Sequence, residues 1–485
     1  MIKKTSATIF ALALPLYVFA REEFTRTFDK TIPAQAGQRF RLEHSLGDIE
    51  LHTHPAADIV LHADIKVSGS DLAQAKSLAN SIEIVVEPSP ALLSVRTRYP
   101  EQGFKNTSHT VHYDVTIPEN MPVELRNSFG SVSVSGVKAN SDIKTSHGDL
   151  NFRDGRGTHK LENSFASINV SNNAGDIAVE GSNGAVNVSD ISGMATVRDR
   201  FGAVNVSDIS KGAKIVNSNG TVNLSDSGGL SSVNNSFGSV NVSDIKGDLT
   251  VNNSNGKVEA NDVKGSADLR SSFGAVRFSN IGGAVTVNTS NGSVNGRNAG
   301  GAVKVESSFG QVDMGDVRGS ATITASNGMV SLTNVGGDAV VRDSFGLVHV
   351  SGAGSLTVQN ANGGIKAANV RGDVTVNTSF GPILLDGVGG AVTVGNQNGS
   401  VEVTTNGSNC RPITIRTSFS PIRLRLPANA SYRVSANTSF GKISSELPIN
   451  ASGTLSEGSI SGMIGSGQCE LRINNNNGDI AIQKY

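Results

Sequence analysis

Residues 238–255 read GSVNVSDIKGDLTVNNSN, and variants of this phrase fill most of the chain. Its first glycine recurs as Gly130, Gly148, Gly184, Gly202, Gly220, Gly238, Gly256, Gly274, Gly292, Gly310, Gly328 and Gly346, with Ala166 in the remaining place, each eighteen residues after the last. A fixed period of this length marks a solenoid, whose units bury their apolar sides only against their neighbours. Val240 and Val242 alternate with polar residues, and Leu249 and Val251 repeat the alternation nine residues on. That is the period-two pattern of strands with one face inward. The midpoint glycine, Gly247, recurs as Gly193, Gly229, Gly265, Gly283, Gly301, Gly319 and Gly337, where a turn needs backbone freedom. Each rung is therefore expected to run strand, turn, strand, turn. The two nine-residue halves are expected to be equivalent, with Ile245 and Ser254 in matching places. Roughly seventeen rungs at about 4.8 Å each would make a rod of roughly 80 Å.

The composition agrees with an all-β parallel solenoid. The chain has 485 residues, 55 of them glycine, no tryptophan, 5% aromatic and 17% charged residues; short strands and tight turns have this profile and helical proteins do not. A net charge of −1 and the absence of a basic stripe with interleaved aromatics exclude nucleic acid as an expected partner.

Residues 1–20 read as a secretory signal peptide: Lys3 and Lys4 precede the apolar ATIFALALPLYVFA, and Val18-Phe19-Ala20 resembles a cleavage site. No later apolar stretch is long enough to span a membrane, so an exported protein is expected, in the periplasm, at the cell surface or outside the cell. In an oxidising compartment the chain's two cysteines, Cys410 and Cys469, are expected to pair.

Residues 21–125 lack the period and read as a β-rich N-terminal cap, although HSLGDIE at 44–50 is an isolated early copy of the phrase. One short helix is expected within Asp71 to Ile84, where Leu72, Ala75, Leu78 and Ile82 fall at helical spacing. Solenoid repeats are expected over residues 126–442. The period slips by one residue between Gly346 and Gly363 and loosens beyond Val401. Residues 443–485 read as a C-terminal cap, which a solenoid needs because its last rung otherwise presents an open strand edge.

The recurrent S[FN]G-[AS]V-x-V units, the head segment YDVTIPENMPVELRNSFGSV and the closing NGDIAI resemble the adhesin-like β-strand-repeat proteins of bacterial envelopes. The resemblance implies a right-handed parallel β-solenoid and an adhesin role, with no catalytic residues to carry over.

The residue before the turn glycine alternates. Phenylalanine stands there at Phe129, Phe165, Phe201, Phe237, Phe273, Phe309, Phe345, Phe380, Phe419 and Phe440, and the intervening rungs hold His147, Asn183, Asn219, Asn255, Asn291, Asn327, Asn362 and Asn398. Exposed, these rings would form an aromatic row about 9.6 Å apart, suited to sugar rings or to another rod. Folded inward, they would plug the end of the core. At the other corner Asp190, Asp208, Asp226, Asp244 and Asp262 recur, with Asn172, Asn280 and Asn298 in phase. A cation would offset their mutual repulsion, but one aspartate per rung offers few ligands, and Asx turns accepting from corner amides account for the column without a metal. His52 and His54, with His44 and His62 nearby, lack a completing ligand set and read as solvated surface histidines.

No serine elbow, Cys/His pair or isolated carboxylate pair is visible, and no cofactor is expected. The function expected is non-enzymatic: multivalent contact with surface or matrix polysaccharide, or self-association, through a repetitive face. The rival readings are a β-helical polysaccharide lyase or hydrolase, and a structural envelope rod without a ligand.

Overall fold

The computed structural model describes residues 21–101, 106–407, 410–452 and 456–485. The signal peptide read at residues 1–20 lies outside them. The chain forms two compact units, divided between Asn151 and Phe152.

In the first unit, Glu22–Pro33 pairs antiparallel with Asp58–Gly69, which pairs antiparallel with Ser108–Pro118. The helix Leu72–Ser81 packs on Glu22–Pro33 and Asp58–Gly69. Asp71 caps it, its side chain accepting from the Ala73 amide, and Ala75, Leu78 and Ala79 are buried. The early copy of the repeat phrase is a genuine rung, but it is placed out of sequence order. Arg39–Leu46 lies parallel between Leu92–Arg98 and Val123–Phe129, and Ile49–His54 lies parallel between Ser108–Pro118 and Val132–Ser135.

The second unit is a parallel β-solenoid of rungs close to eighteen residues. Val240–Ile245 pairs with Val222–Ser227 on one side and Val258–Val263 on the other, each residue facing its copy eighteen positions away. Leu249–Asn255 stands in the same relation to Ser231–Phe237 and Ala267–Phe273. Val240, Val242 and Ile245 from one sheet meet Leu249 and Val251 from the other, all buried. The turn glycines stack closely: a Cβ on Gly238, whose φ is +118°, would fall 2.2 Å from the Gly220 carbonyl oxygen. Backbone touches backbone there, which excludes a side chain.

The halves of a rung are not equivalent, contrary to the sequence expectation. Asp244 has φ +58°, whereas neither Asn253 nor Ser254 in the other half has a positive φ. This left-handed residue inserts one extra position, as in a bulge, and returns Ile245 to the core. The other half has no such residue, so Asn253 points inward and Ser254 is exposed. The structural unit is the whole rung.

The C-terminal segment also enters out of order. Cys469–Asn477 lies parallel between Ile413–Phe419 and Tyr432–Phe440, and Ile480–Lys484 lies between Ile422–Leu426 and Ile443–Ser445. Cys410 and Cys469 form a disulfide with Cα atoms 5.8 Å apart.

Candidate functional site

What closes the end of the core decides where the phenylalanines go. Two residues before each Phe or Asn, an inward polar side chain recurs: Asn217, Asn235, Asn253, Asn396 and Asn475 are buried. Asn253 Nδ2 donates to the carbonyl oxygens of Gly238 at 3.0 Å and Gly256 at 3.1 Å, and Asn396 Nδ2 does the same to Gly381 and Gly399. Each amide thus ties its own turn to the turn below and satisfies carbonyls that the tight corner would strand. In these rungs amides close the core; in others Ser271, Thr289, Ser307 and Ala325 take the buried place, and the rings stay outside throughout.

The rings from Phe165 to Phe419 are 50–56% exposed, unusual for so large an apolar side chain. Asparagines separate them and fix the spacing. Phe201 faces Asn219, Asn219 faces Phe237, and Phe237 faces Asn255 in the strand register, which puts successive rings about 9.6 Å apart. Asn183 Nδ2 donates to the Ser164 carbonyl at 3.0 Å and Asn255 Nδ2 to that of Ser236 at 3.4 Å, each reaching the residue beside the Phe of the neighbouring rung. In the first unit His147 takes the asparagine's place and stacks on Phe129, ring centroids 4.6 Å apart.

The alternation survives where the sequence breaks it. Phe419 and Phe440 are successive anchors along the chain, but the inserted C-terminal strand sets Asn477 against both. The spatial series is Phe419, Asn477, Phe440.

Beside this edge runs a polar groove, lined by the outward residues one and three positions before each Phe or Asn. One stretch of about 710 Å³ runs from Val216 to Ser326, and a second of about 750 Å³ from Thr324 to Ser418. Thr324 and Ser326 line both, so the stretches are continuous.

The aspartate corner has a backbone cause. Asp190, Asp208, Asp226, Asp244 and Asp262 all have φ between +51° and +58°, a conformation that Asp and Asn tolerate better than other side chains. Gly352 and Gly387, at φ +82° and +69°, occupy the same column. The side-chain hydrogen bonds of the column run from rung to rung instead of forming the Asx turns expected: Asn280 Nδ2 donates to Asp262 Oδ1 and Asn298 Nδ2 to Asn280 Oδ1, both at 3.0 Å. Among the described residues no group of three or more histidine, cysteine or acidic side chains is placed to hold a metal ion.

The N-terminal histidines are held separately. His52 Nδ1 lies 3.1 Å from Ser135 Oγ, His54 Nε2 lies 2.7 Å from the Asp58 carbonyl, and His62 Nδ1 lies 2.6 Å from Asp29 Oδ1, whose hydrogen bond raises the His62 pKa. His44 is not a surface residue as expected. It is buried against Tyr113 with Nδ1 2.9 Å from Thr97 Oγ1, and burial lowers its pKa to about 4.

The repeat, the two facing parallel sheets and the exposed edge define a β-solenoid repeat protein. Residues 297–483 match the family model Toastrack DUF4097, consistent with the adhesin-like β-strand-repeat resemblance. A solved structure described as a putative cell adhesion protein from Clostridium sporogenes is similar at 11% identity and TM-score 0.24, covering 37% of this chain and 99% of its own. Another, described as a putative adhesin from Parabacteroides merdae, is similar at 12% identity and TM-score 0.18, covering 62% of this chain and 96% of its own. No curated protein matches the chain. No helix among the described residues is long and apolar enough to cross a membrane.

Proposed function

We propose that the protein is an exported, non-enzymatic adhesin whose phenylalanine edge and adjoining groove bind surface or matrix polysaccharide. The observation that carries this reading is the half-exposed row of rings, whose alternation with asparagine persists across the inserted rung at Asn477. A simple tandem duplication would account for alternation along the sequence. It does not account for an asparagine arriving from a distant segment to separate Phe419 from Phe440. Sugar rings present apolar faces that stack on aromatic side chains, and their hydroxyls pair with the asparagine, serine and threonine side chains of the groove. Each contact is weak, and a polymer engaging many at once gains avidity. A uniform groove suits binding along a polymer better than cleavage at one bond, for which one rung would have to differ from the rest.

Changing Phe201, Phe237, Phe273 and Phe309 together to Ser tests the proposal on a glycan array. The expected variant keeps its β-sheet circular dichroism and loses glycan capture. Unfolding would make the row part of the core, and unchanged capture would remove the row from function. If the wild type captures no glycan and instead forms oligomers that the substitutions dissolve, self-association takes the place of glycan binding.

A further inference from the structure

The groove carries a longer period than the phenylalanine row. Three residues before the Phe, on the same strand and facing outward, stand Arg198, Arg270, Arg342 and Arg416. They accompany every second phenylalanine: Arg198 with Phe201, Arg270 with Phe273, Arg342 with Phe345 and Arg416 with Phe419. The other phenylalanine rungs of this stretch place Asn234, Glu306 and Asn377 there. The arginines are thus four rungs apart, about 19 Å. The loop excess before Phe419 and the one-residue slip after Gly346 change the count along the sequence but leave the four-rung spacing intact.

Local charge accounts for only one of the four. Arg270 pairs with Asp268 at 2.8 Å, and Glu306 is taken by Lys304 at 2.7 Å. Arg198, Arg342 and Arg416 are exposed and have no ion pair or side-chain hydrogen bond among the described residues. Arg270, Arg342 and Arg416 line the groove itself. A neutral chain of sugars would give these guanidinium groups no ionic partner.

We infer that the groove selects an acidic polysaccharide, its carboxylates received by Arg270, Arg342 and Arg416 while its sugar faces stack on the adjoining phenylalanines. This rests on the polysaccharide reading above and narrows it to one substrate class. The guanidinium fork matches a carboxylate in two parallel hydrogen bonds, stronger than neutral ones. The four-rung spacing calls for a charge that recurs along the polymer at a comparable interval. Nucleic acid fits poorly, because the chain has a net charge of −1 and no continuous basic stripe interleaved with aromatics.

The test compares the full chain with an R270Q/R342Q/R416Q variant, using polygalacturonate and its fully methyl-esterified form, which has the same backbone without the charge. The wild type is expected to bind the acid at least about tenfold more tightly than the ester, with a preference that weakens as salt rises. The variant should bind both equally, at the wild type's affinity for the ester. An ester bound by the wild type as tightly as the acid would overturn the inference and leave the polysaccharide reading standing. A preference retained by the variant would remove the arginines from it. Binding of neither polymer would overturn both readings, and tighter binding of duplex DNA than of the acid would replace the substrate class.

Discussion

Asp199 occupies a place in the buried column that the next rungs fill with Asn217, Asn235 and Asn253, and replacing it with asparagine should make the protein more stable. It is 4% exposed, and its strand neighbour in the column is Asn217. Asn217 donates to the Gly202 carbonyl at 3.3 Å, and Asn235 donates to two turn carbonyls, Gly220 at 3.3 Å and Gly238 at 3.2 Å. By register the corresponding acceptors for residue 199 are Gly184 and Gly202. An ionised carboxylate has no proton to offer them. Burial raises the Asp199 pKa above 3.8, and the Arg200 amide offsets this only in part. With the folded pKa raised, the protonated form is the better fit. The Asp199 contribution to stability is fully present below pH 3.8 and is lost as pH rises through the folded pKa. Asp199→Asn supplies the missing donors at every pH. Two hydrogen bonds at about 0.5–1.5 kcal/mol each give a gain of about 1–3 kcal/mol at pH 7, shrinking towards pH 3 as the wild-type acid protonates. Amide hydrogen exchange at the Gly184 and Gly202 turns, measured at both pH values, reads this locally in a repeat array that need not unfold as one unit. A variant less protected than wild type at pH 7, or a gain that does not change with pH, would refute the reasoning. Asp343, also buried with a raised pKa, should respond in the same direction.

Asp244→Gly should change stability by a few tenths of a kcal/mol and Asp244→Val should cost about 1–2 kcal/mol, because only the latter resists the left-handed backbone; chemical denaturation of the two variants checks the contrast. Ile245→Ala should cost about 2–5 kcal/mol through the cavity it opens, whereas Ser254→Ala should be nearly neutral, which thermal melts of the pair will show. Reducing the Cys410–Cys469 bond should lower stability by up to about 4 kcal/mol on the chain-entropy scale, with the loss of exchange protection centred on Cys469–Asn477, the strand it anchors.

The parallel stack was legible because period and alternation report directly on geometry. Gly238 and Gly256 set the rung, and Val240, Val242, Leu249 and Val251 set its inward face. The mismatch of Ile245 with Ser254 was hidden because a left-handed aspartate adds a residue without altering the spacing of the glycines. The sign of Asp244 φ is a backbone property, and its only trace in the sequence is that Asp, Asn and Gly share the column. The aromatic row was visible as letters, but its exposure follows from the buried residues two positions earlier, Asn253, Ser271 and Ser307 among them, which close the core in place of the rings. Two features came from long-range pairing that no local pattern announces: the early rung at 39–54 and the C-terminal strand that brings Asn477 between Phe419 and Phe440. The arginine series lay in plain sight. Its period spans four rungs and is recognisable only once the groove shows which residues share a face.

The central claim is multivalent capture along a periodic edge, and a length series of oligogalacturonates binding to the full chain tests it most directly. Affinity should rise steeply once the oligomer is long enough to reach a second ring, about 9.6 Å along the edge, and again when it reaches a second arginine, about 19 Å along. Affinity that levels off at the shortest oligomer bound would mean a single isolated site, and the account of a repeating binding edge would be wrong.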